Sequence, residues 1–109
     1  MSEFQGFHAH VYFDADSIAQ AKSLCEQAAE RFGIRMGRMH EKPVGPHPEW
    51  SCQLSVPTEL FGTVIPWLSK NRNGLTLFIH GETGDHLADH TDYAIWMGKM
   101  PDLDLSIFG

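Results

Sequence analysis

Two histidines separated by a single residue are the first positions in this chain that could do chemistry. His8 and His10 lie in the run FHAHVYF, where Phe7, Ala9, Val11 and Phe13 alternate with His8, His10 and Tyr12. A strand would put the apolar set on one face, and both imidazoles and the tyrosine on the other, with the two histidines about 7 Å apart along the chain. Two half-exposed strand histidines look the same, so the pair gains meaning only with a third partner. His80 supplies it, at the end of a second β-rich run in which Leu75, Leu77 and Ile79 alternate with Thr76, Phe78 and His80. Three imidazoles on two paired strands form a facial set that leaves coordination positions open for substrate. Neutral imidazoles without thiolates suit Fe(II), Zn(II) or another divalent transition metal better than Mg or Ca.

The segment leaving His80 reads HGETGDHLADHT, with three histidines and three acids in twelve positions. Such density also fits a solvated polar loop, but here it departs directly from a candidate ligand. Asp85 and Asp89 are the acids best placed to orient imidazoles or to supply a carboxylate, and His90 is a candidate proton-transfer group. His47 stands between Pro46 and Pro48 in the stiff loop KPVGPHP, a mount that suits a substrate contact or an acid–base group. Tyr12 and Arg38 are candidates to hydrogen-bond an anionic substrate.

The elements that must hold these groups follow from periodicity. Ile18, Ala21, Cys25, Ala28 and Phe32 recur at helical spacing, with Asp14 or Asp16 as a cap and Gly33 as a stop. A second strand is expected from Ile34 to His40, a third from Trp50 to Val56 and a fourth from Leu75 to His80. Between the third and fourth, Leu60, Phe61, Val64, Trp67 and Leu68 form the buried stripe of a helix that Pro66 should kink or divide. In the tail, Leu103, Leu105 and Ile107 could alternate as a short extra strand. The order βαββαβ predicts one α+β domain over residues 1–109, a ferredoxin-like sandwich with both helices on one face of an antiparallel sheet. The expected strand order is 4-1-3-2, with strands one and three parallel at the centre and strands two and four antiparallel to them. The starts of strands one and three and the ends of strands two and four then share one sheet end, which gathers all seven histidines.

Composition narrows the function classes. Among 109 residues, 8 basic side chains face 14 acidic ones, a formal net charge of -6, which argues against a nucleic-acid surface or an anionic membrane as partner. The same βαββαβ order occurs in RNA-recognition modules, but those need stacking aromatics on the central strands, where this chain has Ser51, Gln53 and Ser55. The apolar runs are far shorter than a bilayer span of about 20 residues, and MSEFQGFHAH lacks the build of a signal peptide, so the cytosol is the expected compartment. Cys25 and Cys52 are too few for a disulfide framework. There is no phosphate-binding Gly-rich loop, no G-x-S-x-G elbow and no CxxC pair.

Taken in order, FHAHVYF, PVGPHP and HGETGDHLADHT resemble the DOPA 4,5-dioxygenase family of extradiol catechol dioxygenases, from about His8 to Leu105 and including WLSKNR at Trp67 to Arg72 and the later Asp104, Leu105 and Ser106. The family pattern H-P-x-x-G-D-D-x-x-D-H-T falls on His80, Gly84, Asp85, Asp89, His90 and Thr91. Gly81 stands where the pattern has Pro, and His86 where it has the second Asp. The resemblance implies a ferredoxin-like domain pairing as a homodimer, a non-haem metal, and cleavage of a catechol such as DOPA next to its hydroxyls, with O2 as co-substrate and a ring-opened semialdehyde as product. On this reading Fe(II) is the expected metal, bound by His8, His10 and His80, with His90 or His47 moving protons and Arg38 or a histidine meeting the substrate carboxylate. The alternative is a non-catalytic dimeric protein of the same fold that binds a metal or a small ligand.

Overall fold

The alternation in the first run builds the central strand of the sheet. In the computed structural model, which describes residues 3–109, β1 spans Phe7–Phe13, α1 Ile18–Phe32, β2 Arg35–Met36, β3 Trp50–Val56, α2 Phe61–Asn71, β4 Leu77–Gly81, α3 His86–Asp89 and β5 Ala94–Met97. Short 3-10 turns occupy Thr58–Leu60 and Leu105–Phe108. Met1 and Ser2, part of the N-terminal stretch read above, lie outside the described residues. No helix among the described residues is long and apolar enough to cross a membrane.

The strands form one sheet in the order β2-β3-β1-β4-β5. The expected 4-1-3-2 arrangement is therefore present, with a fifth strand added beside β4. The expectation of parallel central strands is corrected: β1 and β3 are antiparallel, with Phe7 opposite Val56 and Phe13 opposite Trp50. The reason lies in the connections. The crossover through α1 makes β1 and β2 parallel with a gap of one strand between them, and β3, returning from β2, fills that gap antiparallel to both. The start of β1 consequently meets the ends of β3 and β4, while the start of β3 lies with Tyr12 and Phe13 at the opposite end.

The apolar faces pack as their alternation requires. Ala9, Val11 and Phe13, Cys52, Leu54 and Val56, and Leu75, Leu77 and Ile79 share one buried core with Ala21, Leu24, Cys25 and Ala28 of α1 and Val64, Ile65 and Leu68 of α2. Each large aliphatic side chain buried there contributes about 1.5–3 kcal/mol. α1 stops at Gly33, whose φ of 64° is the left-handed conformation and whose N–H bonds the Ala29 carbonyl. At its other end the capping position falls to Ser17, while Asp14 Oδ1 accepts from the N–H groups of Asp16 and Ser17 in a turn just ahead of the helix. α2 runs undivided through Pro66; the break in helix type comes earlier, between the 3-10 turn and Phe61.

Two other boundaries differ from expectation. The strand expected over Ile34 to His40 pairs as a ladder only at Arg35 and Met36. Gly37 N–H still reaches the Gln53 carbonyl, and His40 bridges Ser51. Arg38 and Met39 thus oppose the single Cys52, the count of a β-bulge that interrupts the ladder. The extra strand of the tail is Ala94–Met97, paired with β4, whereas Leu105–Phe108 is a 3-10 turn. Strand length and edge pairing are set by tertiary partners more than by alternation.

Candidate metal centre

The face of the sheet away from the helices carries the histidines, and strand register brings them together. His8 and His80 are directly opposed on β1 and β4, and His10 lies opposite Phe78. Nε2 of His10 and Nε2 of His80 face each other at 3.1 Å. One ligand nitrogen from each of His8, His10 and His80 lies within 4.8 Å of the others. Two donors about 2.1 Å from a common ion stand roughly 3.0–3.4 Å apart at ordinary coordination angles, so the 3.1 Å spacing fits a shared metal.

The outer nitrogens of two of these rings are already committed. Nδ1 of His80 donates to the Gly81 carbonyl at 3.0 Å, because a carbonyl can only accept. Nδ1 of His8 lies 2.7 Å from Glu82 Oε1. In both rings the remaining lone pair is on Nε2, the tautomer a metal requires, held by the kind of partner that usually orients ligand imidazoles. Burial lowers the pKa of all three rings, taking His80 to about 4 and His10 well below the ordinary histidine value, where neighbouring histidines add repulsion. With His80 Nε2 as the acceptor, the hydrogen of the 3.1 Å contact sits on His10 Nε2, where a bound metal would replace it; three neutral imidazoles directed at one point are a donor set that suits Fe(II) or Zn(II).

Two further histidines stand against this set. The His47 ring lies 4.1 Å from that of His10, and the His90 ring 4.1 Å from that of His80. His47 is placed by a turn in which its N–H bonds the Val44 carbonyl, with Gly45 at a φ of 55°. Tyr12 Oη lies 2.8 Å from His47 Nδ1. The Tyr12 hydroxyl has no other acceptor among the described residues, so its hydrogen points to Nδ1 and the His47 proton resides on Nε2. Burial keeps both neutral, raising the Tyr12 phenol and lowering His47 to about 4. His90 is held in the opposite sense, with Nδ1 donating to the His86 carbonyl at 2.7 Å and the lone pair left on Nε2. One flanking imidazole is thus a hydrogen-bond donor at its free nitrogen, and the other an acceptor.

The remaining candidate residues take other places. Asp89, 1% exposed, accepts from the N–H and the hydroxyl of Thr83. Asp85 caps α3 by accepting from Ala88 N–H. Both carboxylates fold the loop that presents His90, and neither bonds an imidazole. The Arg38 side chain, exposed in the bulge, forms no hydrogen bond or ion pair among the described residues. His40 and His86 lie outside the five-ring cluster. Glu82, which the sequence reading passed over, is the acid that does meet a histidine; its position two residues beyond His80, hence on the same strand face, was the available signal. The sheet face is also less open than four strands with helices on one side imply. Tyr12, Phe78 and His80 are buried beneath the His47 loop, α3 and the tail, where Phe108 packs 4.5 Å from His90 and Asp104 N–H bonds the Pro46 carbonyl.

Residues 7–107 match the Dopa 4,5-dioxygenase family. An uncharacterised 21.2 kDa protein of Botryotinia fuckeliana is 39% identical over 93% of this chain, and a DOPA 4,5-dioxygenase of Amanita muscaria is 30% identical over 96% of it. The aligned parts are 62% and 50% of those proteins, so the chain spans little more than half the length of these relatives. A Nostoc punctiforme protein, described with its crystal structure as a candidate dioxygenase, superposes with a TM-score of 0.82 at 40% identity, covering 94% of this chain and 90% of that one. Three histidines able to hold a metal on a fold shared with that structure, together with the match over nearly the whole chain, place this protein in the DOPA 4,5-dioxygenase family.

Proposed function

We propose that this protein is a non-haem, metal-dependent extradiol dioxygenase that opens the ring of a catechol such as DOPA to a semialdehyde. The observation that carries the reading is the convergence of His8, His10 and His80, flanked by His47 and His90 with opposite tautomers. Fe(II) held by the three neutral imidazoles would supply the Lewis acidity that lowers catechol pKa values and the redox capacity that O2 chemistry needs. No Cys, Asp or Glu completes a fourth protein position in this group among the described residues, which suits a centre open to substrate oxygens.

The protein's own part is proton handling and exclusion of water. His90 Nε2, with its lone pair directed away from the His86 carbonyl, can accept a phenolic proton as the catechol binds. His47 Nε2–H can donate to oxygen that gains negative charge as the ring opens, and Tyr12 holds it in that state. Both oxygen atoms of O2 enter the product, and the carbon–carbon bond beside the two hydroxyl-bearing carbons breaks. The Amanita muscaria relative's name and the family match support this chemistry.

The proposal includes a homodimer in the cytosol. What supports association is the exposed apolar set Leu87, Tyr93, Met100 and Ile107 on the covering segments, and light scattering should then give twice the 12.3 kDa chain mass. The test of function is O2 consumption by anaerobically prepared, Fe(II)-reconstituted protein against a panel of catechols, with a yellow product as the accompanying signal. Absence of catechol-dependent O2 uptake in protein that holds one Fe(II) per chain would overturn the ring-cleavage reading in favour of a metal- or ligand-binding role.

A further inference from the structure

An open cavity of about 490 Å³ lies at the sheet end where β1 begins and β3 and β4 finish, and its walls include His8, Glu82, Ser55 and Arg35. Register explains why these residues meet. Arg35 opposes Ser55, Ser55 opposes His8, and His8 opposes His80, so the four form one row across β2, β3, β1 and β4 on a single face of the sheet. At about 4.8 Å per strand, the Cα atoms of Arg35 and His8 are roughly 10 Å apart, a gap that an arginine side chain largely covers. The cavity volume lies within the range of about 300–1,000 Å³ found for small-molecule sites.

The polar groups in this cavity differ in how committed they are. Glu82 is paired with His8 at 2.7 Å. Ser55 Oγ accepts from Gln53 Nε2 at 3.4 Å, which leaves its own O–H to donate. Arg35 forms no side-chain hydrogen bond or ion pair among the described residues, although its guanidinium carries five donors in a planar fork matched to a carboxylate.

We infer that this cavity is a carboxylate subsite, in which Arg35 and Ser55 recognise an anionic side chain carried by the aromatic ring seated at the histidine centre. The inference rests on the proposed function for the position of the ring, and it assigns to Arg35 the role that sequence reading gave to Arg38. The carboxylate of Glu82 on the opposite wall repels an anion and so directs it toward Arg35. A carboxylate two or three bonds from the ring spans the distance from the histidines to the guanidinium, whereas a short neutral substituent leaves the arginine in water.

The test compares 3-phenylpropanoate with 3-phenylpropanamide, which share a shape and differ in charge, by calorimetry on the metal-loaded chain under anaerobic conditions. The wild type should favour the acid by roughly tenfold, about 1.4 kcal/mol. Arg35→Gln should remove that preference, and Arg35→Lys should retain part of it, because a point charge replaces the bidentate fork. Thermal melts of both variants establish that they are folded. A preference that survives Arg35→Gln, or a wild type that binds acid and amide equally, overturns the subsite. The ratio of kcat/KM for 3-(3,4-dihydroxyphenyl)propanoate to that for 4-methylcatechol should fall in parallel. Loss of binding preference in Arg35→Gln with no O2 uptake on any catechol keeps the subsite and overturns ring cleavage. O2 uptake with an unchanged preference does the reverse.

Discussion

Glu82 Oε1 and His8 Nδ1 are 2.7 Å apart, so the most exposed of the three candidate ligands is held by the first acid after β4. A carboxylate on the outer nitrogen fixes the tautomer and raises the basicity of the inner one. Glu82→Ala should therefore weaken metal binding by about 10–100-fold, with Glu82→Gln in between, as measured by competition with a chromophoric chelator. His10→Ala should lose the metal, and His40→Ala should keep it. Wild-type affinity in Glu82→Ala would show that the carboxylate does not orient the ligand.

Opposite tautomers at His47 and His90 predict distinct losses. His90→Ala should retain its metal while turnover falls by about 10²–10⁴-fold, the range for a positioned acid–base group. Tyr12→Phe should leave metal content intact but strand His47 Nδ1 without its donor, at a cost of about 1–3 kcal/mol in stability and with a turnover loss matching that of His47→Gln. Nitrogen chemical shifts of His47 in the two proteins would display the tautomer directly. Metal loss in His90→Ala would make it a ligand instead.

Acid should unfold the metal-free chain at unusually mild pH. His47 and His80 are pulled down to about 4, and His10 is held well below the ordinary histidine value, in each case chiefly by burial. The unfolded chain, with histidines near 6.5, binds more protons than the native one between these limits. Stability is then complete above about pH 6.5 and declines as pH falls toward 4, by at most about 3 kcal/mol for each of His47 and His80. Urea midpoints measured from pH 7.5 to 4.5 should follow that slope, and a flat profile would contradict the burial of neutral imidazoles.

Gly81 is explained by Phe4. A Cβ at position 81 would clash with the edge of the Phe4 ring, which also packs 5.0 Å from Phe7 and 5.5 Å from Tyr93. Gly81→Ala should destabilise the chain by about 1–3 kcal/mol through overpacking. The same change in a Phe4→Ala background should cost much less, and the double-mutant cycle measures that coupling. Equal effects in both backgrounds would leave the departure from the family's Pro at this position without a packing cause.

Alternation along β1, β3 and β4 was enough to assign faces, since a period of two admits no other placement for Phe7 once Ala9, Val11 and Phe13 are buried. The same rule put His8, His10, Tyr12 and His80 on the opposite face, and the family pattern pointed to His90. Which residues touch was settled only by the folded chain. The pairing of His8 with His80 depends on the register of β1 against β4, fixed by how both pack on the helices. The antiparallel relation of β1 and β3 depends on the crossover and the returning strand together. Asp85 and Asp89 looked like partners for imidazoles because carboxylate and histidine are close in sequence, yet local N–H and hydroxyl donors of Ala88 and Thr83 satisfy them first. Glu82, the acid that bonds a histidine, does so with a residue 74 positions earlier in the chain. Spacing along one strand specifies which way a side chain points, whereas a contact between distant segments exists only when the whole core has chosen its register.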